Sequence, residues 1–220
     1  MSKGTALIVG VGPGLGLALA EVFARDGHPV ALFGRDSERL RKHAAALTSQ
    51  GLAAGAYQTD AGEPEALRAA LGRAVDDLGA PEVLVYNAAV LRADTPTGLD
   101  AGAWAQTLAV NVSGAMVAVQ TVLPLLRDGR GTLLFTGGGL ALHPSPEYTT
   151  LSVGKAALRA YVQALHDDQR GSGVHACTVT VAGMIGGEDP RFAPETLAAS
   201  YLELHHQPKD QWQAELIYAS

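Results

Sequence analysis

The chain has 220 residues, with 16 Lys and Arg against 22 Asp and Glu, a formal net charge of −6, and 47% hydrophobic residues. That length suits one α/β domain with a real core, and the composition excludes a disordered chain. No basic cluster is dense enough for nucleic acid or an anionic membrane surface, so neither is expected as a partner. The single cysteine, Cys177, excludes an intrachain disulfide, and its apolar surroundings predict a buried strand thiol. The N-terminal apolar run at 6–10 is too short for a signal peptide or a membrane span, which makes the cytoplasm the expected location.

In chain order, residues 5–9 read as a buried strand, followed by a glycine turn and a helix over 15–26. Strands at 29–33 and 53–58 alternate with helices at 38–48 and 64–78. A strand at 83–86 precedes a long helix over 103–126, a strand at 131–136 precedes a helix over 152–170, and 174–181 is a sixth strand. Nearly continuous apolar strands between helices predict a parallel sheet covered on both faces, and right-handed crossovers make it doubly wound. Two helical stretches, 194–205 and 209–217, end the chain with no clear seventh strand. The expected fold is a single α/β domain over 1–220 with six parallel strands, a seventh left open, and a substrate lid at about 184–212.

Gly10-Val11-Gly12-Pro13-Gly14-Leu15-Gly16 lies between the first strand and the first helix. Glycines there allow a tight turn and close approach of backbone to a pyrophosphate, and the helix N-terminus offers free N–H groups. Gly10, Gly12, Gly14, Leu15 and Gly16 are therefore candidate cofactor residues; a tight turn with no ligand is the plainer reading. The second strand ends at Phe33-Gly34-Arg35-Asp36. An acidic side chain at this strand end suits the 2′-hydroxyl of NAD, whereas an arginine suits a 2′-phosphate. Gly34 leaves the acidic slot empty and Arg35 follows, which favours NADP(H) with NAD(H) as the alternative. Pairing of Arg35 with Asp36 or Glu38 on the surface is the competing reading.

Together with downstream motifs, these residues resemble the short-chain dehydrogenase/reductase family from residue 5 to about 183, which implies a Rossmann fold and a nicotinamide-dependent oxidoreductase. Gly10, Gly14 and Gly16 match its G-x-x-x-G-x-G turn. The resemblance gives Asp60 an adenine contact and matches Asn87-Ala88-Ala89 to the N-A-G motif, with Ala89 for glycine. It makes Asn111 the asparagine that holds an active-site water, and Lys155 the lysine that grips the ribose and lowers the pKa of a tyrosine.

The departures fall on the chemistry. Leu151 stands where the family tyrosine should be, four residues before Lys155, and Gly138 stands at the family serine. The chain thus resembles an atypical bacterial branch that shares the glycine-rich segment and a Trp/Glu-containing tail, here 212–218. Tyr148, in a Tyr-x6-Lys spacing with Lys155, is the nearest substitute acid; the same spacing occurs in related enoyl-thioester reductases. It would share a face with Leu151 if the helix began before it, and a partly buried loop aromatic is the alternative role. Ser152 reads as a helix cap, Thr136 as a strand-end hydroxyl able to reach substrate, His143 as an exposed loop residue, and Trp212 as packing or a pocket cap. His205 and His206 lack partners at ligand spacing, so no metal is expected.

The leading reading is an NADP(H)-dependent oxidoreductase acting on a small-molecule carbonyl or activated alkene, with Tyr148, Lys155 and Asn111 as catalytic candidates. A catalytically inactive NADP(H)-binding sensor is the alternative, and a scaffold without nucleotide is the third reading. The resemblance implies a homodimer through the helices at 103–126 and 152–170, and the missing seventh strand favours dimer over tetramer.

Overall fold

In the computed structural model the described residues are 3–126 and 131–219; Met1 and Ser2, where the N-terminal reading began, lie outside them. Seven parallel strands form one sheet: β1 (Thr5–Val9), β2 (Val30–Gly34), β3 (Ala54–Gln58), β4 (Pro81–Tyr86), β5 (Gly131–Thr136), β6 (Val174–Val181) and β7 (Glu215–Tyr218). Their order is β3-β2-β1-β4-β5-β6-β7. Helices α1 (Leu15–Arg25), α2 (Ser37–Thr48), α3 (Pro64–Leu78), α4 (Ala101–Leu108), α5 (Gly114–Val122), α6 (Thr149–Asp168) and α7 (Pro194–His206) cover both faces. Strand alternation divides the core in two. Leu7, Val9, Phe33, Leu84, Tyr86 and Phe135 pack with α3, α5 and α6. Ala6, Ile8, Leu32, Val83, Val85 and Val179 pack with α1, α2 and α7. Strand order reverses between β1 and β4, which opens a crevice at the strands' carboxyl ends.

Two expectations are corrected. The stretch 209–217 is not a helix: Lys209–Gln211 is one 3₁₀ turn, and Glu215–Tyr218 pairs with β6 from Thr178↔Glu215 to Val181↔Tyr218. Pairing to an open sheet edge overrides weak helical propensity. Glu215 anchors the strand. It accepts bidentate hydrogen bonds at 2.6–2.9 Å from Arg159 on α6 and one at 2.6 Å from the Thr180 hydroxyl. The seventh strand is therefore present, and the reason for preferring dimer over tetramer falls.

The long helix is also not continuous. A π-helical segment, Ala109–Ser113, separates α4 from α5. The buried Tyr86 hydroxyl donates to the Val110 carbonyl at 2.6 Å, drawing it out of the helical ladder. Gly114 admits this contact, because a Cβ there would lie 2.3 Å from the Tyr86 hydroxyl. Ala101–Leu125 is long and apolar enough by composition to cross a membrane, but here it is a layer helix with Ala115, Ala118 and Val122 fully buried in the core.

Candidate active site

A cleft of about 1340 Å³ runs across the carboxyl ends of the strands. One end is built by the turn between β1 and α1. Gly10 has φ +97°, and a Cβ on it would lie 2.4 Å from the Ala88 backbone nitrogen. A Cβ on Gly16 would lie 2.4 Å from the Gly10 carbonyl oxygen, so only glycine lets α1 approach the strand this closely. A Cβ on Gly12 or Gly14 would meet nothing within 4 Å; these residues face open cleft. Gly14 caps α1 with no side-chain hydrogen bond, and while the Leu17 amide donates to the Gly12 and Gly14 carbonyls, the Leu15 and Gly16 amides are left to an anion. The Asn87 amide donates to the Gly10 carbonyl at 2.9 Å and fixes the turn to the end of β4.

Arg35 and Asp60 also line the cleft. Asp36 does not pair with Arg35. It caps α2 by accepting from the Arg39 amide at 3.0 Å and pairs with the Arg39 guanidinium at 3.3 Å. The Arg39 amide and guanidinium hold its carboxyl below the usual range. Among the described residues Arg35 has no carboxylate partner, so its guanidinium is available to a ligand. Arg39 lines the same wall and was missed; its place in the first turn of α2, just after the strand end at Arg35, was the available signal. The Asp60 carboxylate accepts from the Gly62 amide at 2.8 Å.

The other end of the cleft is apolar. Val90, Leu91, Leu140, Leu151, Met184 and Ile185 line it, with Thr136, Tyr148 and Lys155 among its polar residues. Lys155, on α6, donates to the Thr136 carbonyl at 2.6 Å. Burial lowers its ammonium to about 8. Tyr148 is the N-cap of α6, which starts at Thr149, so Tyr148 does not continue the helical face of Leu151. It still lines the cleft from the cap position, and its side chain is 38% exposed.

The glycine run shows which positions the fold constrains. A Cβ on Gly137 would lie 2.6 Å from the Thr178 methyl, and one on Gly139 would lie 3.0 Å from the Ala182 Cα. A Cβ on Gly138 would meet only the Lys155 stem, at 3.6–3.8 Å, which is ordinary contact. Packing therefore excludes a Cβ at 137, is tight at 139 and leaves room at 138.

The other candidates are engaged within the fold or lie away from the cleft. Asn111, held by the π segment, accepts from the Val90 amide at 2.7 Å and donates to its carbonyl at 3.4 Å; it buttresses the cleft and is not among the residues that line it. The Thr136 hydroxyl lies 2.9 Å from the Asn87 amide oxygen, to which it donates, and 2.8 Å from the Tyr201 hydroxyl, so it is committed within the fold. The Ser152 hydroxyl lies a turn inside α6, donating to the Tyr148 carbonyl at 2.8 Å and accepting from the Ser145 amide at 3.1 Å. His143 is exposed and away from the cleft. Trp212 stacks on His175 with ring centroids 5.0 Å apart and caps no part of the cleft. The Cys177 thiol is buried and pushed up to about 12 by burial, which makes it inert. Within the stretch 184–212 expected as a lid, Met184 and Ile185 line the cleft, while α7 buries Leu197, Tyr201 and Leu204.

A family model described as short chain dehydrogenase matches residues 4–187. The chain is 31% identical over 183 residues to 2-(S)-hydroxypropyl-CoM dehydrogenase 3 of Xanthobacter autotrophicus, covering 80% of this chain and 72% of that protein. It is 27% identical to a short chain dehydrogenase from Burkholderia cenocepacia J2315 solved in complex with NADP, with a TM-score of 0.86, covering 97% of this chain and 95% of that one. A metagenomic short-chain oxidoreductase in complex with NADP gives a TM-score of 0.89 at 20% identity, covering 99% and 97%, which shows a shared fold.

Proposed function

Because the chain belongs to the short-chain dehydrogenase family, we propose that it is an NADP(H)-dependent oxidoreductase acting on an apolar carbonyl or activated alkene, with Tyr148 as the displaced acid. The observation that carries this reading is that Tyr148 and Lys155 line the same cleft as the glycine turn. The donor set fits a dinucleotide: the open faces of Gly12 and Gly14 and the α1 N-terminus for the pyrophosphate, Arg35 and Arg39 for a 2′-phosphate, and Asp60 beside the adenine. The NADP-bound Burkholderia relative supports the same preference. Bound NADPH supplies the hydride.

The chain's own residues do the rest. Tyr148 delivers the proton that balances hydride addition, to oxygen for a carbonyl and to carbon for the enolate of an activated alkene. The Lys155 ammonium favours the phenolate that remains. Val90, Leu140, Leu151 and Ile185 hold an apolar substrate and exclude water. Met116 on α5 and Val153 on α6, both exposed, support a homodimer through these helices; a cytoplasmic location belongs to the same reading.

The test is NADPH oxidation against aldehydes, ketones, quinones and enoyl thioesters, with nucleotide binding in parallel. Tyr148→Phe lowers turnover by roughly 10²–10⁴-fold and leaves NADPH affinity unchanged. The replacement of the family acid by Leu151 favours a second reading, a nucleotide sensor. Tight NADPH binding with no turnover across the panel selects that reading.

A further inference from the structure

The N-cap of α6 is chemically unusual. Helix N-termini need acceptors for their first amides, and Ser, Thr, Asp and Asn are the residues that supply them. Tyr148 sits at this position with no side-chain capping bond. The acceptors come from Asp94, in the loop after β4 and 56 residues before Thr150. One Asp94 carboxylate oxygen accepts from the Thr150 amide at 3.0 Å, and the other accepts from the Thr150 hydroxyl. The Asp94 amide donates to the Glu147 carbonyl at 3.0 Å, and its carbonyl accepts from the Thr149 amide at 3.5 Å. Asp94 and Tyr148 form an isolated parallel bridge.

The far side of Tyr148 is fixed as firmly. Its amide donates to the Ser145 carbonyl at 3.2 Å, and its carbonyl accepts from the Ser152 amide at 2.9 Å and the Ser152 hydroxyl at 2.8 Å. The main chain of Tyr148 is thus clamped from both directions, while its ring stays at the cleft wall. Capping and proton delivery compete for one position when a single residue must do both.

We propose that Asp94 is a positioning residue for Tyr148: by capping α6 from outside the helix, it frees the N-cap position to hold an acid that faces the cleft. A carboxylate here also meets the positive end of the helix. Burial raises the Asp94 carboxyl, but the bonds from Thr150 and Thr149 outweigh it and hold the group below its usual range. The inference rests on the assignment of Tyr148 above.

The test compares Asp94→Ala and Asp94→Asn, in the wild-type and Tyr148→Phe backgrounds, by kcat, KM and NADPH affinity. A second readout is the fluorine resonance of Tyr148 in protein labelled with 3-fluorotyrosine, assigned by its loss in Tyr148→Phe. Asp94→Ala lowers kcat roughly tenfold to hundredfold, leaves NADPH affinity within about twofold, and has no further effect in Tyr148→Phe. Asp94→Asn, which keeps a carbonyl acceptor, recovers most of the loss. NADPH shifts the fluorine signal in wild type and Asp94→Asn but not in Asp94→Ala. If Asp94→Ala does not fold, Thr150→Val removes the hydroxyl bond and carries the same comparison. Unchanged kcat and fluorine response in Asp94→Ala overturn the proposal, as does an additive loss in the Tyr148→Phe background. Full turnover in Tyr148→Phe defeats the acid assignment alone, and the fluorine comparison still decides whether Asp94 sets the position of the ring.

Discussion

The two ends of the cleft are constrained by different physics. At the glycine turn, residue identity is dictated by backbone contacts: Gly10 lies under the Ala88 amide and Gly16 under the Gly10 carbonyl, each leaving 2.4 Å where a Cβ would stand. At the apolar end, Gly138 has ordinary room for a side chain, and Leu151 is a buried wall residue that no hydrogen bond requires. Changing Gly10 or Gly16 damages the fold of the turn, whereas a methyl group on Gly138 displaces no backbone contact. A nucleotide-binding end can thus persist while the residues beside it change.

The sharpest way to break this contrast is to add one methyl group at each end. Gly10→Ala forces a positive φ on alanine and a clash with Ala88, and NADPH affinity falls roughly hundredfold. Gly138→Ala leaves affinity within about twofold, because its Cβ meets only the flexible Lys155 stem. Titration of NADPH fluorescence measures both. Equal losses at the two positions would mean that the apolar end is as sterically committed as the turn.

A smaller effect tests whether that end is free to change chemistry. Leu151 and Lys155 are four residues apart on α6, so a tyrosine at 151 shares the lysine's face. In the Tyr148→Phe background, Leu151→Tyr restores turnover by roughly tenfold to hundredfold, since a general acid contributes at least that much. No recovery, with the protein still folded and binding NADPH, would show that the 151 position cannot reach the reacting atoms.

The same contrast explains what could be read from the sequence. The β1 turn was legible because its constraint is local: residues 10–16 touch one another and the end of β4, so their pattern is nearly the structure itself. Arg35 was legible for a similar reason, at the end of β2. The π segment was not, because its cause is the hydroxyl of Tyr86, 24 residues before Val110. The strand β7 was hidden in four residues whose anchor, Arg159, lies 56 residues before Glu215. The cap of α6 was hidden for the same reason, with Asp94 and Thr150 also 56 residues apart. The bond from Asn111 to the Val90 backbone was likewise not legible, since the two lie 21 residues apart. Long-range side-chain bonds leave no periodic trace.

The smallest expected effect refines the nucleotide end. Arg35 and Arg39 both line the cleft, but only Arg39 is engaged with a carboxylate, that of Asp36. Loss of Arg35 therefore removes a free cation, whereas loss of Arg39 removes one already shared. Arg35→Ala weakens NADPH binding about tenfold and leaves NADH binding unchanged, as expected for an exposed, charge-assisted contact with a 2′-phosphate. Arg39→Ala weakens NADPH less and also loosens the start of α2, because Asp36 loses its ion pair while keeping the Arg39 amide. Added salt lowers wild-type NADPH affinity and narrows the gap to Arg35→Ala, since screening acts on the contact that the variant lacks. Equal loss of NADPH and NADH affinity in Arg35→Ala would remove Arg35 from nucleotide discrimination and leave Arg39 as the cation to examine.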